Sequence, residues 1–179
     1  MKKSPHVGHI RLALRDATAG NHRQVDGLFA DHSLDSPDGY RAFLTAHARA
    51  LGALEPVACP TAPRLPLLAS DIAALGQAMP EPLPLEDRSG EGYRWGLLYA
   101  LEGSRLGGAM LARKVAPGLP TAYLSAVHGK GEWIAFQQAL DSAAPQGDDA
   151  WLDDAVEGAR AAFSLFAQAG APEQAAVHG

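Results

Sequence analysis

The chain is short of cysteine, of β-branched residues, of basic clusters and of long apolar runs, and each shortage removes a class of protein. A single cysteine, Cys59, among 179 residues cannot build an intrachain disulfide framework, and it fits a reducing compartment. The 15 Lys and Arg are outnumbered by 20 Asp and Glu, for a net charge of -5. With no basic stretch, neither nucleic acid nor an anionic membrane surface is expected as a partner. No apolar run approaches the roughly 20 residues that a membrane-spanning helix needs. Lys2 and Lys3 lead into Ser-Pro-His rather than an apolar core, so the N-terminus does not read as a signal peptide, and a cytoplasmic protein is expected. Familiar catalytic signatures are missing as well. There is no CxxC pair, no HExxH, no P-loop lysine-serine, no G-x-S-x-G elbow, and no paired Glu-x-x-His of the di-iron bundles.

What is abundant is alanine, leucine and glycine, which favours helix over sheet. Apolar residues recur at three-to-four spacing over 8–30, then over about 37–55, where Ser36 is a good N-cap and Pro37 suits the first helical position. Pro56, Pro60, Pro63 and Pro66 predict an extended connector. Further helices are expected at about 67–78, at Tyr93–Lys114, briefly at Ala122–Ala126, at 132–141, and from a cap at Asp148 or Asp149 to about Gln168. The expectation is one all-α domain spanning 1–179, a bundle of six or seven helices, with 1–7 and 170–179 as flexible ends.

The stretch YRWGLLYALEGSRLGGAMLARK, Tyr93 to Lys114, carries three interior glycines, Gly103, Gly107 and Gly108. Each costs a helix about 1 kcal/mol relative to alanine, so three together require a reason. On a helical wheel Ala100, Gly103 and Gly107 share one side, flanked by Ser104 and Gly108. A flat or bulky partner can lie directly against backbone there. A helix–helix contact would account for the same glycines.

Of the histidines, HVGH at 6–9 reads as a solvated terminal segment, and His32, His128 and His178 read as solvated loop or tail residues. His47 sits on the apolar stripe of its helix and reads as a core histidine bonded to a backbone or side-chain acceptor. His22 keeps different company: Arg15, Asp26 and Phe29 all fall within about 40° of it on the wheel. Asp26, at i+4, can hold one ring nitrogen while the other binds a metal. Arg15 stands on the order of 10 Å along the helix, a reach that suits carboxylates at the edge of a planar group. From this helix alone, an amphipathic helix whose histidine borders the core explains the pattern equally well. Both helices together are explained by a flat ring between them, and heme held by one histidine beneath a glycine backbone is the simplest such ligand.

The segments LRDATAGNHRQVD (14–26), YRAFLTAHARALGALE (40–55) and GLLYALEGSRLGGAMLARK (96–114) resemble the heme oxygenases, above all the bacterial branch associated with bacteriophytochromes, and the likeness runs on through AVEGARAAFSLF (155–166). The resemblance implies a heme oxygenase-like multi-helix bundle with heme between a proximal helix and a kinked distal helix. His22 would be the axial iron ligand, supported by Asp26, with Arg15 at a propionate and Phe163 lining the pocket. Gly103, Ser104, Arg105, Gly107 and Gly108 would form the distal wall. Better-known members carry an aspartate directly after the first distal glycine; here Ser104 stands there, so Ser104, Arg105 or main-chain carbonyls with water would take over its task.

The implied activity is oxidative cleavage of heme, at once substrate and cofactor, to biliverdin, carbon monoxide and ferrous iron. A crowded, aprotic backbone wall would direct oxygen toward one meso carbon, where a distal histidine would favour peroxidase chemistry. Electrons would come from a ferredoxin or flavin reductase, since the chain shows no flavin or iron–sulfur motif, and a bacteriophytochrome is an expected recipient of the bilin. A non-catalytic heme carrier or sensor on the same scaffold is the alternative that Ser104 makes credible, and a helical interaction module is a third.

Overall fold

The computed structural model describes residues 8–171, and among these the chain forms seven α-helices, one 3-10 segment and no strand. The order is α1 (His9–Ala30), α2 (Pro37–Ala58), α3 (Leu65–Ala74), α4 (Glu91–Gly103), the 3-10 segment Ser104–Gly107, α5 (Gly108–Lys114), α6 (Glu132–Ala143) and α7 (Asp149–Gly170). The helix expected over Tyr93–Lys114 is therefore present but broken by four residues of tighter coil. Residues 1–7 and 172–179 lie outside the described residues, as do His6 and His178. Gly170, expected in a loose end, instead closes α7 as a buried residue.

Local chemistry explains the boundaries. Ser36 accepts from the Gly39 amide at 3.0 Å and Pro37 opens α2, while Asp148 accepts from the Trp151 amide at 3.0 Å and opens α7. Two boundaries differ from the periodicity. Helix α2 runs through Pro56 for another half turn, because Ala58 is fully buried and its carbonyl receives Arg94 at 3.2 Å. Helix α3 starts earlier than expected, with Pro66 in its first turn, and ends where Gly76 takes φ 77°.

The helical piece expected at Ala122–Ala126 is not formed. Asp71, 1% exposed, takes the amides of Ala122 (3.1 Å) and Tyr123 (2.9 Å), and the segment folds as successive turns around that carboxylate. Buried Glu55 does similar service, accepting from Arg64 N at 2.8 Å and Leu65 N at 2.9 Å and so capping α3 from another helix.

Helix α7 is the central element, packed against α4, α1 and α2. Its seam with α4 is backbone on backbone. A Cβ on Gly96 would collide with the Ala155 carbonyl, and one on Gly158 would collide with the Tyr93 carbonyl. One apolar cluster fills the space between α2, α4 and α7 (Leu44, Leu51, Leu97, Phe166), and a second joins α1, α6 and α7 (Leu14, Leu140, Ala155, Ala159).

Candidate heme site

Helix α1 uses Ile10, Leu14 and Thr18 to reach the core, which leaves His22 and Asp26 on its outer face. The His22 side chain is 63% exposed, and its Nδ1 lies 3.5 Å from Asp26 Oδ2. Its ring meets Phe163 of α7 edge-on, with centroids 5.9 Å apart and planes at 82°. A carboxylate on one side and an aromatic edge on another restrict the ring. With the Nδ1 proton directed at Asp26, the Nε2 lone pair is available, and Nε2 has no partner among the described residues. The structure thus brings together His22 and Asp26, which helical spacing pairs, and Phe163, which only the family resemblance named.

Arg15 lies two turns earlier, 70% exposed, its Nε 3.7 Å from Asp16. It has a neighbour that periodicity did not reveal. Burial pushes the hydroxyl of Tyr99 above its ordinary range, the Arg15 cation opposes that rise, and Asp16 adds to it. Tyr99 belongs to α4, one turn before Gly103, so the charges at Arg15 and Asp16 of α1 are felt on the glycine helix. An exposed guanidinium beside a phenol suits a carboxylate.

The distal glycines divide into two kinds. A Cβ on Gly107 would meet nothing within 4 Å, and one on Gly103 would make only ordinary contact, 3.6 Å, with the Trp133 ring. Leu106 and Met110, 56% and 67% exposed, flank Gly107. Gly108, by contrast, has its bare side against the Leu124 carbonyl and Val127. Its lack of a side chain serves packing of the 121–127 turns. The same holds for Gly92 and Gly96 on the α7 seam, so the helix-contact explanation of glycine applies to these positions and leaves Gly103 and Gly107 without a packing role.

Ser104 and Arg105 turn inward. The Ser104 hydroxyl donates to the Leu101 carbonyl at 2.6 Å and accepts from Arg64 at 2.5 Å. Arg105, 7% exposed, lies 2.9 Å from Glu102 and donates to the carbonyls of Ala126 (3.2 Å) and Ala62. The other oxygen-sharing partner of Glu102 is His128, whose Nε2 lies 2.9 Å away and whose ring packs against Trp133 at 5.6 Å. His128 is therefore not the solvated loop residue that its position suggested; a glycine-rich turn hides it under α6. His32 is likewise half-buried, stacked on Phe29 at 5.4 Å. His9 is exposed at the start of α1, as expected.

His47 is a core histidine as expected, but its partner is a donor rather than an acceptor: its Nδ1 lies 2.5 Å from the Tyr123 hydroxyl. Burial, with help from the Arg64 and His32 charges, pulls its pKa down to about 3, while burial pushes Tyr123 up. The pair is neutral, with the phenol donating. Its Nε2 is buried without a partner among the described residues.

Two cavities, about 470 and 630 Å³, lie at the start of α1 beside α6 and between α2 and the end of α7; neither is lined by His22 or the distal glycines. No group of three or more His, Cys, Asp or Glu among the described residues could hold a metal ion by itself.

Comparison with known proteins gives the arrangement a context. No family model matches the chain. Over 90% of its length it superposes on the NO- and CO-bound heme oxygenase from Neisseria meningitidis, covering 89% of that chain with a TM-score of 0.77 at 23% identity. The fold is a heme oxygenase fold. In sequence, 113 residues are 39% identical to a heme oxygenase of Xanthomonas campestris pv. campestris (strain 8004). That match covers 58% of this chain and 64% of the relative's length. In this chain His22 stands on α1, and Gly103 and Gly107 stand at either end of the break between α4 and α5.

Proposed function

We propose that the protein is a heme oxygenase that opens heme to biliverdin, carbon monoxide and ferrous iron, using O2 and external electrons. The observation that carries this reading is His22: an exposed imidazole with Nδ1 3.5 Å from Asp26, its ring edge-on to Phe163, and Nε2 without a partner among the described residues. The residues suit a planar iron macrocycle. His22 supplies the one nitrogen ligand, Asp26 fixes its tautomer, Phe163 limits its rotation, and Arg15 with Tyr99 marks an edge for propionates.

Heme, as the substrate, supplies the iron at which O2 is activated. The chain supplies the surroundings. Gly107 offers bare backbone between two exposed apolar side chains, Leu106 and Met110. The hydroxyl proton of Ser104 is committed to the Leu101 carbonyl, and Arg105 is committed to Glu102 and two carbonyls, so neither presents an acid at the Gly107 face. Proton delivery on that face falls to water ordered by main-chain carbonyls, the remaining option beside Ser104 and Arg105. A wall without an acid favours oxygen transfer to the ring over peroxide cleavage.

A ferredoxin or flavin reductase in the cytoplasm is the electron source on this reading, and a bacteriophytochrome is the recipient of the bilin. No helix among the described residues is long and apolar enough to cross a membrane. The test is a hemin titration followed by reduction in air. A Soret band that changes in His22→Ala, and bilin absorbance with ascorbate or a reductase, are expected. Bound heme that survives reduction would make the protein a carrier or sensor, and no heme binding at all would sink both readings.

A further inference from the structure

The α-helical ladder of α4 stops at Gly103, so the carbonyl of Leu101 does not receive the amide of Arg105 four residues on. That oxygen is nonetheless satisfied. It accepts from the Ser104 hydroxyl at 2.6 Å and from Nη2 of Arg64 at 2.8 Å, and the same Nη2 donates to Ser104 Oγ at 2.5 Å. Arg64 arrives from the residue before α3 and is 4% exposed. Its backbone is pinned by Glu55 at 2.8 Å, and its guanidinium lies 5.1 Å from the centre of the Tyr123 ring. A cation is thus delivered to the C-terminal end of α4, where the last carbonyls carry partial negative charge. A charged donor outcompetes a neutral amide for the same lone pairs.

The consequence is a change of pitch. A 3-10 segment turns about 120° per residue where an α-helix turns about 100°, so four residues rotate the downstream helix by roughly 80°. Gly107 is the fourth of those residues. We propose that Arg64 is a positioning residue of the distal wall: it holds the Leu101 carbonyl out of the α-helical ladder, fixes the 3-10 pitch from Ser104 to Gly107, and so sets where on the tetrapyrrole the bare backbone falls. The last step rests on the heme oxygenase reading; the first two concern the protein alone. The guanidinium of Arg64 bonds to Leu101 and Ser104, and it acts on the distal glycines through them.

Arg64→Met and Arg64→Lys test this in the full-length protein. Without hemin, amide hydrogen exchange at Arg105 to Gly108 is expected to quicken by about tenfold or more in Arg64→Met, with the interior of α1 unchanged, and to return close to wild type in Arg64→Lys, which restores a charged donor. With hemin and reductant, Arg64→Met is expected to change the proportions of the bilin isomers as well as the rate. Exchange at 105–108 that matches wild type, or quickening spread uniformly over all helices, overturns the pitch-setting role. Unchanged isomer proportions overturn the specificity role. If Arg64→Met does not fold, Arg64→Gln is read in its place against the same expectations. A wild type that yields no bilin defeats the activity reading, while the exchange data still decide what Arg64 does.

Discussion

Single positions carry opposite expectations that adjacent glycines make measurable. Gly107 faces open space, so Gly107→Leu meets no steric obstacle in the fold and gains helix propensity; its melting temperature should stay within a few degrees of wild type. The added side chain would occupy the distal face, and bilin formation should fall by about tenfold or more. Gly108→Ala should do the reverse. Its Cβ would be driven into the Leu124 carbonyl, which costs about 1–3 kcal/mol of stability by urea titration and touches the reaction only through folding. Equal effects of the two substitutions on activity and stability would remove the distinction drawn between them. Asp26→Ala addresses the His22 side of the proposed site. The carboxylate is 66% exposed and 3.5 Å from Nδ1, so it orients more than it charges, and heme affinity in a hemin titration should weaken by roughly tenfold. His22, Asp26 and the unusual glycines were legible in one dimension because helical periodicity alone puts i and i+4 together. Arg64 and His128 were not, since a polar residue in a Pro- or Gly-rich link reads as solvated until the fold buries it, and Glu55 and Asp71 read as ordinary helix-surface carboxylates until another segment supplies amides for them to cap.

Elements tell the same story at longer range. Helix existence followed from apolar spacing, and the caps at Ser36 and Asp148 stand where side-chain chemistry requires. The break in the glycine helix was implied only by the family resemblance, and the interaction that holds it comes from another element, the residue before α3, which no local pattern records. The lost helix at 122–126 fails for a similar reason, because Asp71 competes for the amides that would have begun it. The seam between α4 and α7 was also invisible, since Gly92, Gly96 and Gly158 are separated by up to 66 positions in the chain and only their apposition gives them a purpose. Gly158→Ala should therefore be disproportionately costly for one methyl group. The atoms it would strike belong to the backbone of α4 and cannot swing aside, so a loss of about 3 kcal/mol, near the top of the range for overpacking, is expected from urea midpoints. A change below about 0.5 kcal/mol would mean that the two helices can separate freely, and the seating of α4 on α7 would be softer than this packing implies.

At the scale of the whole molecule, acid stability reports on the interior. His47 lies where α1, α2, α7 and the 121–127 turns converge, ringed by Phe29, Phe43, Phe166 and Tyr123. The charged or titratable groups that act on it are Arg64 and His32, and both disfavour a second positive charge there. In the unfolded chain the imidazole titrates near its ordinary value of 6.5, and in the folded protein near about 3. Between those values the unfolded state binds a proton that the folded state refuses. Stability from this group is therefore complete above pH 6.5 and declines as the pH falls toward 3, by about 1.4 kcal/mol per pH unit where the difference is one whole proton. The paired and capping carboxylates add their own acid dependence, so the contribution of His47 is read by difference. His47→Gln keeps an acceptor for the Tyr123 hydroxyl and removes the titration. Its stability should run below or near wild type at pH 7 and gain on wild type by roughly 2–3 kcal/mol between pH 6 and pH 4, measured by urea unfolding at fixed ionic strength. Curves that stay parallel over that interval would show that the interior opens enough to hydrate the ring. An interior of that kind would not keep the α1, α2 and α7 faces in the fixed relation on which the placement of His22 over Phe163 depends.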